Sequence, residues 1–251
     1  MIIKTKGIII SETNYSETSK ILNILTEDYG KIGVISKGAR KMKSPLRSVS
    51  QKMIYGEFVL KYSDKGLSNL VEVNVLNSFK NIITNFKCAS YSFYLISLIN
   101  QVLNDSHLTY NYDKNIFKLL EQALLKINNG LDSSLIVNIV ELQLLKYLGV
   151  SLELNHCINC GCKDNIITIS LDEGGILCNK CFKEISLLSL KSIKLIRLMY
   201  YVDLEKLDNI KIKDNNSIEQ INHFIKDYYT KYTGIYLKNK DNIEKMLVNL
   251  N

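Results

Sequence analysis

The stretch SKILNILTEDYGKIGVIS, residues 19–36, contains two β-rich runs joined by a short polar connection. The runs SKILNILT and KIGVIS are rich in residues such as Ile and Val that favour strands. The connection EDYG (27–30) places Gly30 after polar residues, as a hairpin turn requires. The stretch therefore predicts two antiparallel strands joined by a tight turn.

Three further β-rich runs flank this hairpin. They are KGIIIS (6–11), MIYGEFVLKY (53–62) and VEVNVL (71–76). In the last run Val71, Val73 and Val75 alternate with other residues, as in a half-buried strand. Five short strands in so short a segment favour a small barrel, and we predict an OB-fold, a nucleic-acid-binding barrel, over residues 1–78. An SH3-like barrel or a β-sandwich would have a similar pattern.

The hydrophobic period changes near residue 78 to three or four residues, which predicts amphipathic helices. The apolar stripes of the first three helices are Ile82, Phe86, Ala89, Phe93, Ile96, Ile99 and Leu103, then Ile116, Leu119, Ala123 and Ile127, then Leu135, Ile139, Leu142, Leu145 and Leu148. Two more stripes are Ile193, Ile196 and Met199, and Ile218, Ile221, Ile225 and Tyr228. Gly130 can end the second helix, and Asp132 or Ser133 can cap the third. We therefore predict an α+β protein with a helical domain over residues 79–251.

Five of the six cysteines lie in one short part of the helical domain. Four of them form two C-x-x-C pairs, Cys157 with Cys160 and Cys178 with Cys181. The 17 residues between the pairs give a spacing typical of four thiolates that bind one Zn²⁺ tetrahedrally. We predict a zinc-binding insert at about residues 155–182, with one Zn²⁺ per chain held by these four cysteines.

The predicted metal site is structural, because four thiolates leave zinc no open position for water. Two substitutions of ligands are possible: Cys162 could replace Cys160, and His156 could compete with Cys157. The sixth cysteine, Cys88, falls in a helical stretch and is predicted to be a core residue.

The location of the protein is predicted from its apolar segments. The N-terminus lacks the layout of a signal peptide, and no stretch is long and apolar enough to span a bilayer. We therefore expect a soluble cytoplasmic protein, with no membrane partner. Cysteines stay reduced in that compartment, which favours metal binding over disulfides.

Excess positive charge is concentrated in the first third of the chain. Residues 1–80 contain 13 of the 32 Lys and Arg residues but 7 of the 25 Asp and Glu residues. After the third predicted strand comes the basic segment SKGARKMKSPLRS (36–48), which has no acid. A basic loop projecting from a small barrel suits a phosphate backbone. The candidate phosphate contacts are Lys37, Arg40, Lys41, Lys43 and Arg47.

Four aromatic residues lie on or near the neighbouring strands: Tyr29, Tyr55, Phe58 and Tyr62. Exposed aromatic rings would stack on bases, whereas buried ones belong to the barrel core. From strand alternation we expect at least half of them to be core residues.

No catalytic constellation is apparent in the sequence, which favours a binding protein over an enzyme. The segment GVISKGAR (33–40) begins like a P-loop, but Ala39 and Arg40 stand where that motif requires Lys and Ser or Thr. The three histidines, His107, His156 and His223, are scattered without metal-ligand spacing.

A second basic set lies in the helical domain, at Lys191, Lys194 and Arg197. Its spacing of three places these side chains on one helix face, opposite Ile193 and Ile196. The set is either a solvated face or a docking surface for an acidic peptide.

The order of barrel, helices, four-cysteine insert and further helices resembles the bacterial recombination mediator RecO family. The most specific parts are TEDYGKIGVISKGARKMKS (26–44), CINCGC (157–162) and GGILCNKC (174–181), and the resemblance covers nearly the whole chain. It implies an N-terminal OB-fold, a helical C-terminal domain that often has a zinc site, and no enzymatic activity. A cytoplasmic protein associated with the nucleoid is implied as well.

The same resemblance implies a function in DNA repair. RecO-like proteins bind single- and double-stranded DNA, anneal complementary strands, and work with RecR to load RecA onto DNA covered by single-stranded-DNA-binding protein (SSB). It also implies a DNA-contact role for Lys37, Arg40, Lys41 and Lys43, whereas Arg47 is added from charge and proximity alone. Two other functions would suit the sequence: an RNA-binding accessory protein with a structural zinc knuckle, or a zinc-dependent enzyme with an open metal position.

Overall fold

The computed structural model describes residues 1–104, 113–182 and 188–248. The chain divides into two compact units, Met1–Gly130 and Leu131–Asn251. The division after residue 78, between barrel and helices, stays a prediction. His107, one of the scattered histidines, lies outside the described residues.

Five strands form a closed barrel at the start of the first unit. They are β1 (Ile2–Tyr15), β2 (Ser19–Thr26), β3 (Gly30–Ser36), β4 (Tyr55–Lys61) and β5 (Ser68–Asn77). Their order around the barrel is β1-β2-β3-β5-β4, and β4 pairs with β1 to close it. The pairing of β3 with β5 is parallel, and the other four pairings are antiparallel. The predicted five-stranded barrel is thus confirmed.

The hairpin predicted over residues 19–36 is present, with Thr26 opposite Gly30 and Lys20 opposite Ser36. Gly30 has a φ of +66°, the left-handed conformation that glycine adopts without steric cost. The Thr26 hydroxyl donates to the Gly30 carbonyl at 2.7 Å and so ties the two strand ends together. The inward side chains of all five strands form the barrel core: Ile3, Ile9, Leu22, Ile24, Ile32, Val34, Phe58, Leu60 and Leu70.

The long strand β1 pairs with two neighbouring strands, β2 and β4. It pairs with β4 from Ile2 to Ile8 and with β2 from Gly7 to Tyr15, and its register to β2 shifts between Ile9 and Ser11. Gly7 lies where both pairings overlap. A Cβ atom there would lie 2.6 Å from Ile24 Cγ2, so only glycine allows the strands to close at this point.

Strand β5 departs from its predicted burial. Its pairing with β3 covers Ser68 and Asn69 only, and its register to β4 shifts twice. Beyond these points the alternation of inward and outward residues is lost. Val71 and Val75 are therefore exposed, although the sequence pattern predicted that they would share a buried face.

Four helices accompany the barrel in the described part of the first unit: α1 (Leu46–Val49), α2 (Lys80–Ile83), α3 (Phe86–Val102) and α4 (Lys114–Asn128). The side chains of Asn85 and Asp113 cap α3 and α4 by accepting main-chain N–H groups. The buried face of α3 is wider than predicted and includes Tyr91, Tyr94, Leu95 and Leu98. Phe86 and Phe93, predicted to be buried, are exposed. Cys88 is half-buried rather than in the core.

The second unit contains α5 (Ser133–Leu144), β6 (Ile166–Ser170), β7 (Gly175–Cys178), α6 (Leu190–Tyr201), a 3₁₀ turn (Leu204–Lys206), α7 (Asn215–Tyr232) and α8 (Lys238–Val248). Asp132 caps α5 as expected, with its carboxylate accepting from the N–H groups of Ser134 and Leu135. The helix ends at Leu144, short of the predicted Leu148, and α8 was not predicted from the sequence.

The core of the second unit includes one buried ion pair. Lys240 Nζ lies 2.6 Å from Glu141 Oε2 and donates to Asn138 Oδ1 at 2.7 Å. Of the helices in the described ranges, none has both the length and the apolar character that crossing a bilayer requires.

Candidate nucleic-acid interface and metal centre

The basic segment, between β3 and β4, consists of turns followed by the start of α1, and main-chain hydrogen bonds and short side chains fix its path. The N–H of Arg40 donates to the Thr18 carbonyl at 2.8 Å, in the β1–β2 turn. Ala39 is fully buried beside it, and Gly38 has a φ of +72°. At the two ends the hydroxyls of Ser36 and Ser50 share a buried hydrogen bond of 2.8 Å. The path of the segment therefore does not depend on its long basic side chains.

The five predicted phosphate contacts are all exposed on this segment: Lys37, Arg40, Lys41, Lys43 and Arg47. Within the described ranges, none of the five forms an ion pair with a carboxylate. Arg40 Nη1 donates to the Ser16 carbonyl at 2.8 Å, which orients the guanidinium without neutralising it. One exposed acid, Glu17, lies in the adjoining turn. The segment thus carries an uncompensated positive charge at one end of the barrel.

Two basic residues that flank this segment in the sequence, Lys31 and Lys52, are placed differently. Lys31 Nζ donates to Asn104 Oδ1 at 2.5 Å, and burial lowers the pKa of Lys31. Lys52 lies over the ring of Phe93 at 5.4 Å, and burial lowers its pKa as well. Both lysines pack against the helices of the first unit, so the structure singles out the cations of residues 37–47.

The expectation for the aromatic residues is confirmed. Tyr55 and Phe58 are buried, whereas Tyr29 is exposed and its ring lies 5.5 Å from that of Tyr62. The Tyr62 N–H donates to the Met1 carbonyl, so this pair lies where β1 begins. The basic segment contacts residues 16 and 18, where β1 ends. The exposed Tyr29, with the half-buried Tyr62 beside it, and the basic segment are therefore at opposite ends of the barrel.

One exposed aromatic residue lies beside the basic segment, and sequence reasoning missed it. Tyr15 is the last residue of β1, is 48% exposed, and precedes Ser16, whose carbonyl accepts from Arg40. The pairing of β1 with β2 ends there, with Tyr15 opposite Ser19. Its position at a strand end next to a turn was the available signal in the sequence.

The metal centre is formed by the four predicted cysteines. The Sγ atoms of Cys157, Cys160, Cys178 and Cys181 all lie within 4.8 Å of one another. The Cys160 and Cys178 sulfurs are 3.7 Å apart. Four sulfurs at 2.3 Å from one ion in a tetrahedron would be about 3.8 Å apart. The arrangement could therefore hold a metal ion with little movement.

Each cysteine pair lies on a tight turn. The N–H of Gly161 donates to the Cys157 carbonyl at 2.8 Å, and the N–H of Cys181 donates to the Cys178 carbonyl at 3.1 Å. The β6–β7 hairpin delivers Cys178, which is opposite Ile166. We name residues 155–182, which carry the four cysteines, the cysteine knuckle.

The thiols of the knuckle differ in acidity. Burial opposes ionisation of Cys178, but hydrogen bonds from Cys162 and from main-chain N–H groups outweigh it and lower the pKa of Cys178 to about 6. Hydrogen bonding to neighbouring sulfurs raises the pKa of Cys181 and of Cys162 to about 12. A bound cation would favour the thiolate form of every ligand.

The two alternative ligands lie outside the cluster of four. Cys162 packs against Cys157 and Cys178, but its Sγ does not belong to the set of four sulfur atoms that could hold one ion. Nδ1 of His156 lies 2.8 Å from Glu153 Oε1, close enough for an ion pair although poorly angled for a hydrogen bond. The geometry therefore favours the symmetric pairs over either substitution.

Comparison with known proteins matches both parts of the chain to one family. The family model "Recombination protein O N terminal" matches residues 1–79, and "Recombination protein O C terminal" matches residues 85–241. The chain is 33% identical over 249 residues to the DNA repair protein RecO of Bacillus pumilus, covering 98% of this chain and 95% of that protein. It is 32% identical to the Bacillus subtilis protein over the same shares. The protein of Halalkalibacterium halodurans is 30% identical, with 98% and 97% covered.

Proposed function

This chain belongs to the recombination protein O (RecO) family of DNA repair proteins, and from that premise we propose how it acts. Its role lies in DNA repair and recombination. We propose that it binds single- and double-stranded DNA, anneals complementary strands, and with RecR helps to load RecA onto SSB-covered single strands. The observation that carries the proposal is the exposed, unpaired row of cations on the basic segment.

The proposed contacts are made to phosphates by Lys37, Arg40, Lys41, Lys43 and Arg47. Contacts of this kind fix a strand by its backbone and leave the base edges free to pair. Binding is then weakly dependent on sequence and strongly dependent on salt. Lower repulsion between two strands bound near a polycation reduces the barrier to their encounter. The free energy of base pairing drives the annealing of the strands. We therefore propose that no nucleotide is hydrolysed and that the protein is not an enzyme.

The ion proposed for the knuckle is Zn²⁺, held by Cys157, Cys160, Cys178 and Cys181. Four soft sulfur ligands in a near-tetrahedral set fit zinc, and they leave no position for water. When bound, the ion supplies a crosslink between two turns rather than a reactive group. We propose that its role is structural.

The proposed partners follow from the same premise. We propose that residues 1–78 act as the DNA-binding domain, and that residues 79–251 contact SSB through its acidic tail. We place the protein in the cytoplasm at the nucleoid. RecR and RecA would act with it on the same covered strand.

The test is annealing of SSB-covered complementary strands, followed by fluorescence without nucleotide. We define the basic-segment variant as Lys37→Ala, Arg40→Ala, Lys41→Ala and Lys43→Ala together. Its matched control replaces four exposed lysines of the same unit by alanine: Lys6, Lys61, Lys65 and Lys80. Wild type and control should accelerate annealing, and the basic-segment variant should not. An absence of acceleration by wild type would refute the mediator function. Equal affinity for structured RNA with no annealing would indicate an RNA-binding protein instead.

A further inference from the structure

The cysteine knuckle contains five cysteines, although one zinc ion needs only four of them. The fifth is Cys162, which packs against Cys157 and Cys178 but lies outside the set that could hold one ion. Its sulfur atom is within hydrogen-bonding range of the sulfur atoms of Cys178 and Cys160. It also lies 3.5 Å from the carbonyl oxygen of Asp164. The knuckle therefore has one thiol that is next to the metal ligands without being one of them.

The five cysteines differ in their access to solvent. Cys157 and Cys178 are buried, each with 1% of its surface exposed, whereas Cys160 is exposed. Cys162 and Cys181 are half-buried. A reagent dissolved in water therefore reaches the sulfur of Cys160 first. A cysteine that binds zinc is a thiolate, and the thiolate is the form of cysteine that oxidants attack. Oxidation of the knuckle should thus begin at Cys160.

The turn that carries Cys160 also carries Cys162, with only Gly161 between them. Gly161 has a φ of +74°, and a Cβ atom there would meet nothing within 4 Å. Glycine tolerates a wide range of backbone angles, and this one has open space beside it. The chain between the two cysteines can therefore adjust to the geometry that a disulfide requires.

Two sulfur atoms are close enough to react with an oxidised Cys160. One belongs to Cys178, 3.7 Å away, and the other to Cys162. A bond to Cys178 would remove two of the four metal ligands and would engage a buried side chain. A bond to Cys162 uses a sulfur atom that the metal ion does not hold, so it removes one ligand only. Cys162 is therefore the favoured partner.

We propose that Cys160 and Cys162 form a reversible oxidation site that releases the metal ion of the knuckle. The oxidant is a peroxide. The thiolate of Cys160 attacks one peroxide oxygen and becomes a sulfenic acid, while the O–O bond breaks and the other oxygen leaves after taking up a proton. The sulfur of Cys162 then attacks that of Cys160. The S–S bond forms, the S–O bond breaks, and the hydroxyl group leaves as water with the thiol proton of Cys162.

The disulfide leaves three thiolates, those of Cys157, Cys178 and Cys181, for an ion that structural sites hold with four ligands. The knuckle then holds its ion more weakly and releases it to a competing chelator. A dithiol reductant opens the disulfide by exchange, is itself oxidised, and restores the fourth ligand. The inference rests on the metal proposed for the knuckle. It does not rest on DNA binding, because the first cysteine of the chain is Cys88 and the barrel strands contain none.

The test follows zinc in the full chain after addition of hydrogen peroxide, with a chelating dye present. The reduced protein is analysed first and should contain one zinc ion per chain. Peroxide should release this ion, and proteolysis within residues 155–182 should accelerate in step. Dithiothreitol followed by added zinc should reverse both changes. The affinity for single-stranded DNA should stay the same throughout, since the barrel strands have no cysteine to oxidise.

Peptide mapping identifies the bond that forms. Trypsin cleaves after lysine and arginine, so it places Cys160 and Cys162 in one peptide, residues 147–163, and Cys178 in the next, residues 164–180. The proposed disulfide leaves the first peptide separate and lighter by a pair of hydrogen atoms, and fragmentation locates the bond within it. A bond that joins the two peptides, or one that fragmentation places at another cysteine, would overturn the proposal.

Cys162→Ser separates the oxidation site from the metal site. The variant should bind zinc as wild type does, but it lacks the second thiol, so Cys160 should continue to a sulfinic acid that a dithiol does not reduce. Zinc rebound after peroxide and dithiothreitol should therefore fall several-fold relative to wild type. The matched control is Cys88→Ser, which removes a half-buried cysteine of α3 and should recover its zinc as wild type does.

Three results would contradict the oxidation site. The first is full recovery of zinc by Cys162→Ser after the same treatment, because the second thiol would then be unnecessary. The second is wild-type protein that forms the disulfide but keeps its zinc. The third is an absence of zinc from the reduced wild-type protein, which would overturn the metal assignment and its release together. The DNA titrations are independent of all three, so failure of the proposed DNA binding is recognised separately.

Discussion

The basic segment and the cysteine knuckle both place functional side chains on turns, but those of the segment face solvent whereas those of the knuckle face one another. The basic segment is anchored by the Arg40 N–H, the buried Ala39 and the Ser36–Ser50 hydrogen bond, and its five cations face solvent. The knuckle turns its sulfur atoms inward until they lie within 4.8 Å of one another. The basic segment is held by its backbone and by short side chains, and the knuckle is held by its cysteine side chains.

This difference separates binding from stability. Replacing the long basic side chains with alanine keeps the main-chain N–H of residue 40, the buried Ala39 and the Ser36–Ser50 hydrogen bond. Their replacement should therefore change the affinity for the ligand and not the stability of the fold. The side chains of the knuckle are its anchors, so their replacement should change local folding. The same kind of substitution therefore has different consequences in the two regions.

The largest effect is expected at the knuckle. Cys178→Ser removes a buried ligand, and structural zinc contributes roughly 10–16 kcal/mol of apparent binding free energy in small modules. We expect loss of bound zinc and rapid proteolysis within residues 155–182, with an intact barrel. Metal content and limited proteolysis measure this.

The matched control is Cys162→Ser, which changes a cysteine of the same knuckle outside the set of four. It should keep one zinc ion per chain. Zinc retained by Cys178→Ser but lost by Cys162→Ser would move the ligand assignment to Cys162.

The next largest effect is expected for the basic-segment variant. If four or five phosphates of a single strand are neutralised, the logarithm of the binding constant falls with the logarithm of salt at a slope of about −3. The variant should bind more weakly and with a flatter slope, and its thermal unfolding should match that of wild type. Titrations at several salt concentrations measure the slope. An unchanged slope, with the four-lysine control as reference, would place the DNA site elsewhere.

Patterns set by neighbours along the chain were predictable from the sequence. The turn at Gly30, the cap at Asp132 and the paired cysteines each depend on residues close in sequence, and all three are present. The buried stripe of α6 was also correctly placed. Local geometry was enough for each of these.

Features set by pairing between distant segments were not predictable. Val71 and Val75 alternate as if one face were buried, but β3 ends after covering only the start of β5, and the valines are exposed. Phe93 fits the periodic stripe of α3 but lies on the exposed side under Lys52. Tyr15 lies beside Arg40 because the β1–β2 turn contacts the basic segment, and these two segments are distant in sequence.

A smaller effect is expected from the two exposed tyrosines, which lie at opposite ends of the barrel. Stacking of a base on an aromatic side chain contributes about 1–3 kcal/mol. Tyr15→Ala should therefore weaken binding of single-stranded DNA about tenfold without changing the salt slope, because no charge is lost. Tyr29→Ala, at the far end from the basic segment, should bind like wild type. The reverse order in anisotropy titrations would place the strand at the Tyr29 end.

The smallest effect tests whether the helices of the second unit depend on the knuckle. Asp214 caps α7 and pairs with Lys191 of α6. The hydrogen bond from Lys191, followed by that from Ser217, lowers the pKa of Asp214 to about 2 from its ordinary 3.8. Since the folded-state pKa is the lower one, the carboxylate stabilises the fold above pH 3.8, and this contribution is lost as the pH falls toward 2.

Asp214→Asn keeps an oxygen that can accept from Ser217 but removes the charge facing Lys191. The variant should be slightly less stable than wild type at neutral pH, since exposed ion pairs contribute little, and the difference should vanish near pH 2. Denaturant unfolding of both proteins across this range measures it, and Lys191→Ala should behave in the same way. A difference that persists at pH 2 would show that the cap rather than the ion pair is responsible. The same difference at neutral pH in chelator-treated protein would show that α6 and α7 hold together without the metal.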